Sequence, residues 1–166
     1  MNRIPVLGFS GYSNSGKTTL IEKLIVSLKS KGLRVAVVKH HAHEEMEVDK
    51  EGKDSWKFTQ AGADISIVSS PKKTAYIEQR TLGFQQLISM VHDVDLILVE
   101  GFKREPITQI GICREKANVG FPSELDRYIA IVTDKKDIET KVPAFDFGQV
   151  EALSDFIMRM LEEGKL

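Results

Sequence analysis

Residues 11–18 read Gly11-Tyr12-Ser13-Asn14-Ser15-Gly16-Lys17-Thr18. This is a complete G-x-x-x-x-G-K-[ST] pattern, a loop built to hold phosphate. Gly11 and Gly16 permit the tight turns that aim successive backbone N–H groups, across Ser13, Asn14 and Ser15, into one anion-binding concavity. Lys17 places an ammonium where β- and γ-phosphates would sit. Thr18 offers a hydroxyl to a Mg²⁺ ion bridging the same phosphates, and Thr19 follows in the first helical turn. Chance alone gives this pattern in about one chain of this length in 200.

The flanks fit the same reading. Ile4 to Phe9 is a short apolar run suited to a buried strand. Leu20, Ile21, Leu24, Ile25 and Leu28 form one apolar face of a helix from Lys17 to Lys31, stopped by Gly32. The loop therefore leads from a strand into a helix N-terminus, where the helix dipole favours an anion.

Further along, strands are expected at 33–39, 65–68, 74–77, 95–101, 107–113 and 129–134. Helices are expected at 55–61, around 84–91, and from Val150 to Leu161. Strands alternating with helices imply a mainly parallel sheet with helices on both faces. The continuous apolar runs at 35–38, 96–99 and 129–132 predict strands buried on both sides. Strands without helices between them, near 65–77 and 107–113, read as antiparallel additions at an edge. The fold expected is α/β of the P-loop NTPase class, with residues 1–166 a single nucleotide-binding domain. Residues 114–127 form a polar loop, a candidate lid or partner contact.

Composition sets bounds on partners. The chain has 166 residues, 42% hydrophobic and 28% charged, with net charge −1. There is no global basic footprint for nucleic acid and no apolar stretch of membrane-span length. Cys113 is the single cysteine, in an apolar run that suggests a core position, so no internal disulfide forms and a cytoplasmic location is expected.

A second acid should organise Mg²⁺. Glu100 closes the most apolar strand, at the carboxyl end where ligands of parallel sheets bind. Gly101, lacking a side chain, could approach the γ-phosphate closely. Asp49 and Asp54 compete for the metal role, and Lys53 is a candidate for a second phosphate or an acidic substrate group. Three of the chain's four histidines, His40, His41 and His43, fall together. Alternating side-chain directions make a shared zinc ion a poor fit, so His40 and His41 are read as substrate or partner contacts. Asp134, in Thr133-Asp134-Lys135-Lys136-Asp137, is the candidate for reading guanine, although the Asn-Lys-x-Asp pattern is incomplete; a turn or helix cap is an equal reading.

With these residues in place, the chain resembles the molybdopterin-guanine dinucleotide biosynthesis protein B (MobB) family along nearly its whole length. The resemblance rests on the phosphate loop, Val37-Val38-Lys39-His40-His41, Asp49-Lys50-Glu51-Gly52-Lys53-Asp54-Ser55, Ala61-Gly62-Ala63 and, above all, Val99-Glu100-Gly101-Phe102-Lys103. Glu51 departs from a common Pro, a change in loop stiffness. The resemblance implies a GTP-binding accessory factor that uses Mg²⁺ and forms a homodimer. It would assist a MobA-type guanylyltransferase in joining GMP to molybdopterin, and Lys103 joins the substrate or partner residues. Lys17 and Glu100 would carry any hydrolysis, which is expected to be slow because no residue stands out as a base. A small-molecule kinase using ATP or GTP, its acceptor near Asp49, Lys53 and Asp54, is the alternative. Against it, Arg80, Arg104, Arg114 and Arg127 are scattered rather than gathered into a lid. A module that binds nucleotide only for stability is a third reading.

Overall fold

Val6–Ser10 forms β1, and Leu7 and Phe9 bury their side chains on one face of it. The computed structural model describes residues 4–41, 49–117, 120–136 and 138–166. After β1 come α1 (Lys17–Ser30), β2 (Val35–Lys39), α2 (Asp54–Gln60), β3 (Ile65–Ser70), β4 (Lys73–Glu78) and α3 (Phe84–Ser89). The chain continues with β5 (Leu96–Glu100), β6 (Thr108–Cys113), β7 (Ala130–Thr133), β8 (Ala144–Phe145) and α4 (Val150–Glu162). His43 and Asp137 lie outside the described residues.

Contacts divide the chain into two units, Met1–His40 with Leu87–Leu166, and His41–Gln86. The first holds a six-stranded sheet in the order β2-β5-β1-β6-β7-β8, every adjacent pair parallel. Leu7, Phe9, Leu96, Leu98, Ile110, Ile112, Ala130 and Val132 project from one face of this sheet into the core. Leu20, Ile21, Leu24 and Leu28 of α1 meet them there, with Leu153, Phe156 and Ile157 of α4. Each buried Leu, Ile, Val or Phe among them contributes about 1.5–3 kcal/mol. Helix α1 ends as its sequence predicts: Gly32 has φ 91° and the Leu33 N–H donates to the Leu28 carbonyl at 3.2 Å. That closes the last turn as a Schellman motif.

Two expectations are corrected. Residues 107–113 are not an antiparallel edge addition: β6 is a central parallel strand between β1 and β7. The connection through 101–107 contains no helix because it has little distance to return. Glu100 lies level with Phe9 of β1, and Thr108 level with Leu7. Gly8 leaves room for it, since a Cβ there would sit 2.9 Å from Ile107 Cδ1.

Helices α1 and α4 share a face of this sheet. On the other face, Ile107 lies against Gly8, and Phe121 and Tyr128 lie against Gly111. The Tyr128 hydroxyl accepts from the Ser123 N–H at 3.1 Å and donates to Ser10 Oγ at 3.5 Å.

Strand β2 is not buried on both sides, for it is an edge strand and Val37 is 45% exposed. By contrast Leu96 to Val99 and Ala130 to Val132 are fully buried, as their apolar runs predict. Cys113 is buried, as its apolar run predicts.

In the second unit, β3 and β4 pair antiparallel as a separate two-stranded sheet, from Ile65 opposite Glu78 to Ser70 opposite Lys73. No helix among the described residues is long and apolar enough to cross a membrane.

Candidate functional site

The site lies where β1, β2 and β5 end. Phe9 and Lys39 both pair with Glu100, so three strand termini are level, and the phosphate loop leaves β1 directly after Ser10. Side chains from three distant stretches of sequence are thereby placed at one edge of the sheet.

The loop's glycines are required by space as well as by φ. A Cβ on buried Gly11 would stand 2.7 Å from both the Ile112 carbonyl oxygen and Ser15 Oγ. Asn14 and Gly16 adopt left-handed conformations, with φ 62° and 85°, which Asn and Gly tolerate best. Ser15 is buried, and its N–H donates to the Tyr12 carbonyl at 3.3 Å. Ser13, Thr18 and Thr19 are exposed.

Lys17 folds back across the loop and donates to the Tyr12 carbonyl at 2.6 Å and to Ser15 Oγ at 3.4 Å. Its pKa is lowered, first by desolvation and then by repulsion from Lys103 and Lys39, against a raising influence from Glu100. The Thr18 hydroxyl donates to the Glu100 carboxylate, 3.0 Å from Oε1 and 3.1 Å from Oε2. Lys39 Nζ stands 3.5 Å from Oε2, and the Glu100 side chain is only 12% exposed. Lys103 Nζ lies 5.0 Å from the centre of the Tyr12 ring, a cation–π contact that holds a further positive charge against the loop.

His40 extends the ladder beyond β2, its N–H donating to the Glu100 carbonyl at 2.9 Å. Its ring meets Phe102 edge-on, centroids 4.9 Å apart. Gly101 makes this approach possible: a Cβ there would stand 2.8 Å from His40 Cβ, and its φ is 93°.

Asp134 follows β7 at the same sheet edge. The Glu115 N–H donates to its Oδ1 at 2.7 Å, and Arg114 Nη1 is 3.7 Å from Oδ2. Both oxygens thus have partners within the chain.

His41, Asp49, Lys53 and Asp54 belong to the second unit. Asp49 Oδ1 accepts from the Lys50 N–H at 2.8 Å, while its Oδ2 is buried with no partner among the described residues. Lys53 immediately precedes α2, and Asp54, in its first turn, pairs with Lys57 at 3.6 Å.

The phosphate loop, with an acid, a hydroxyl and lysines gathered round it, defines a class of site. The family described as molybdopterin guanine dinucleotide synthesis protein B matches residues 6–134. The chain belongs to this MobB family. The molybdopterin-guanine dinucleotide biosynthesis adapter protein of Haemophilus influenzae is 39% identical over 164 residues, covering 96% of this chain and 91% of that protein. The adapter protein of the same description from Escherichia coli is 39% identical over 168 residues, covering 96% and 95%. The crystal structure of Bacillus subtilis MobB matches with a TM-score of 0.77 at 28% identity, over 94% of this chain and 97% of that one.

The residues present fit a nucleotide and Mg²⁺. Helix α1 starts at a left-handed glycine with no side-chain cap and no acid in its own first turn, so its first N–H groups receive no cap from the helix itself and suit an anion. Thr18 and Glu100 supply the hard oxygen donors that Mg²⁺ prefers.

Two members of this constellation are given no site role by the sequence. Lys39 reaches Glu100 only because β2 and β5 pair in that register, and the signal available was its place at the end of a predicted strand. Arg114 is one of four arginines scattered along the sequence, yet it lies against Gly16: a Cβ on Gly16 would be 2.9 Å from its Nε. Its position follows from the parallel placement of β6, which the sequence pattern did not reveal.

Proposed function

We propose that the chain holds GTP with Mg²⁺ on residues Gly11 to Thr19. As an adapter, it would present that nucleotide to a MobA-type guanylyltransferase that joins GMP to molybdopterin. The observation that carries the reading is the Thr18–Glu100 hydrogen bond beside Lys17, which sets two oxygen donors and an ammonium at the mouth of a phosphate loop. The relatives' description as biosynthesis adapter proteins supports the pathway. The chain is read as one functional domain, with His41–Gln86 an insertion in sequence between β2 and β5.

In this reading Lys17 exchanges its contact with the Tyr12 carbonyl for phosphate oxygens. Thr18 and Glu100 would hold Mg²⁺, directly or through water; Asp49 is the acid that competes with Glu100 for that role. When bound there, the ion would supply positive charge against the phosphates. Asp134 takes the guanine edge in place of its present partners. His40, His41, Lys53, Asp54 and Lys103 are assigned to the pterin or partner side. Glu100 is already committed to Thr18 and Lys39, which leaves it poorly placed to take a proton from water, so turnover is slow. A homodimer in the reducing cytoplasm is the setting we assign, in keeping with a sequence that holds a single cysteine.

Calorimetric titration with GTP and with ATP, each with Mg²⁺, tests the ligand. Preference for GTP is expected, and a clear ATP preference rejects the reading. In a coupled assay the chain should increase guanylyltransferase output in a GTP-dependent way, and no effect of the chain on that output counts against the adapter role.

A further inference from the structure

Arg114 occupies an electrostatically unusual position. Its guanidinium carbon is 3.9 Å from the centre of the Phe147 ring, and its Nε borders Gly16, the residue that starts α1. A cation at the positive end of a helix, near a lysine, is unfavourable unless an anion accompanies it. Asp134 supplies one now, but only loosely: Oδ2 is 3.7 Å away, beyond hydrogen-bond distance, while Oδ1 takes the Glu115 N–H at 2.7 Å. Phe147 is itself packed against the core and gives the guanidinium a fixed floor. Among the described residues this long contact is the guanidinium's one ion pair, and its planar fork of donors suits phosphate oxygens better.

We propose that Arg114 is a further phosphate-binding residue of the nucleotide site, restrained by Asp134 until a polyphosphate draws it away. This rests on the reading of Gly11 to Thr19 as the phosphate site. Phosphate competes with Asp134 for the guanidinium, so Asp134 opposes the binding of any polyphosphate that offers it no base edge.

The sign of one substitution follows. Asp134→Asn keeps an oxygen for the Glu115 N–H and releases Arg114. Inorganic tripolyphosphate, which has no base, is therefore expected to bind several-fold more tightly to this variant. Arg114→Ala is expected to weaken the same ligand about tenfold, the scale of one charge-assisted hydrogen bond. In the Arg114→Ala background the gain from Asp134→Asn should vanish, whereas simple removal of a negative charge would leave it in place.

The experiment is calorimetric titration of tripolyphosphate into the full chain, the two single variants and the double variant, at fixed salt. Arg114→Lys is included to keep the charge without the fork, and circular dichroism melts confirm folding. Unchanged affinity in both Arg114 variants overturns the proposal, as does a gain from Asp134→Asn that survives the loss of Arg114. Lys17→Ala, run in parallel, separates the two levels. If it too leaves tripolyphosphate binding unchanged, the phosphate-site reading has failed; if it alone weakens binding, the failure belongs to Arg114.

Discussion

Lys17 is the residue on which the site's electrostatics converge. Desolvation lowers its pKa, Lys103 and Lys39 lower it further, and Glu100 raises it. The folded chain therefore loses this proton at a pH below the ordinary lysine value of 10.5. Between the folded and unfolded values the unfolded state holds more protons, so this group adds stability as pH rises through that window. Phosphate binding runs the other way, because the ammonium disappears as pH rises through the lowered value. Tripolyphosphate affinity without Mg²⁺ should thus fall on the alkaline side earlier than in Lys17→Arg, whose charge persists. Glu100→Gln removes the raising influence and should move the fall to lower pH still; pH-dependent titration of the three proteins checks both shifts. In the same variant the affinity gained on adding Mg²⁺ should shrink, and an unaltered gain would transfer the metal role to another acid. At this scale much was legible beforehand. Gly11, Gly16, Lys17 and Thr18 lie in one short stretch, and Glu100 announces itself by ending an apolar strand. Lys39 and Arg114 were not, since their roles depend on register and strand order, which side-chain periodicity does not encode.

The central element is β6. Its sequence, Thr108 to Cys113, reads equally well as an edge addition, because no helix precedes it and nothing marks its direction. The parallel arrangement depends on two glycines that look incidental in sequence. Gly8 admits Ile107 from the connection, and Gly111 admits an aromatic ring: a Cβ there would stand 2.6 Å from Tyr128 Cδ2 and 3.0 Å from Phe121 Cδ1. Rings cannot yield as a flexible chain end can. Gly111→Ala should therefore cost about 1–3 kcal/mol, the usual range for overpacking a filled interior. Tyr128→Phe loses the contacts to Ser123 and Ser10 and should cost about 0.5–1.5 kcal/mol. Urea denaturation measures both, and a neutral Gly111→Ala would mean that the ring does not hold this face as described. The other strands were easier to read. Runs such as Leu96-Ile97-Leu98-Val99 are apolar at every position because both faces are covered. The similar run of β2 misleads only because edge position is a property of the sheet, not of the strand.

Across the whole molecule, the level termini of β1, β2 and β5 turn separate motifs into one site. The family match spans residues 6–134, which includes the phosphate loop and Glu100. A ligand that binds only the folded chain raises its melting temperature in proportion to the logarithm of ligand concentration. GTP with Mg²⁺ should do so here, and ATP at the same concentration should do so less. The long helical core of α1 and α4 is remote in sequence but was foreseeable from two amphipathic patterns, whereas the sheet order joining them was not. The account turns on whether Lys17 and its loop hold a triphosphate. Calorimetric titration of GTP and Mg²⁺ into the chain and into Lys17→Ala is the direct measurement. Saturable binding weakened at least about tenfold by the substitution, in a variant with an unchanged circular dichroism spectrum, is the predicted result. Equal affinity in the two proteins would contradict it.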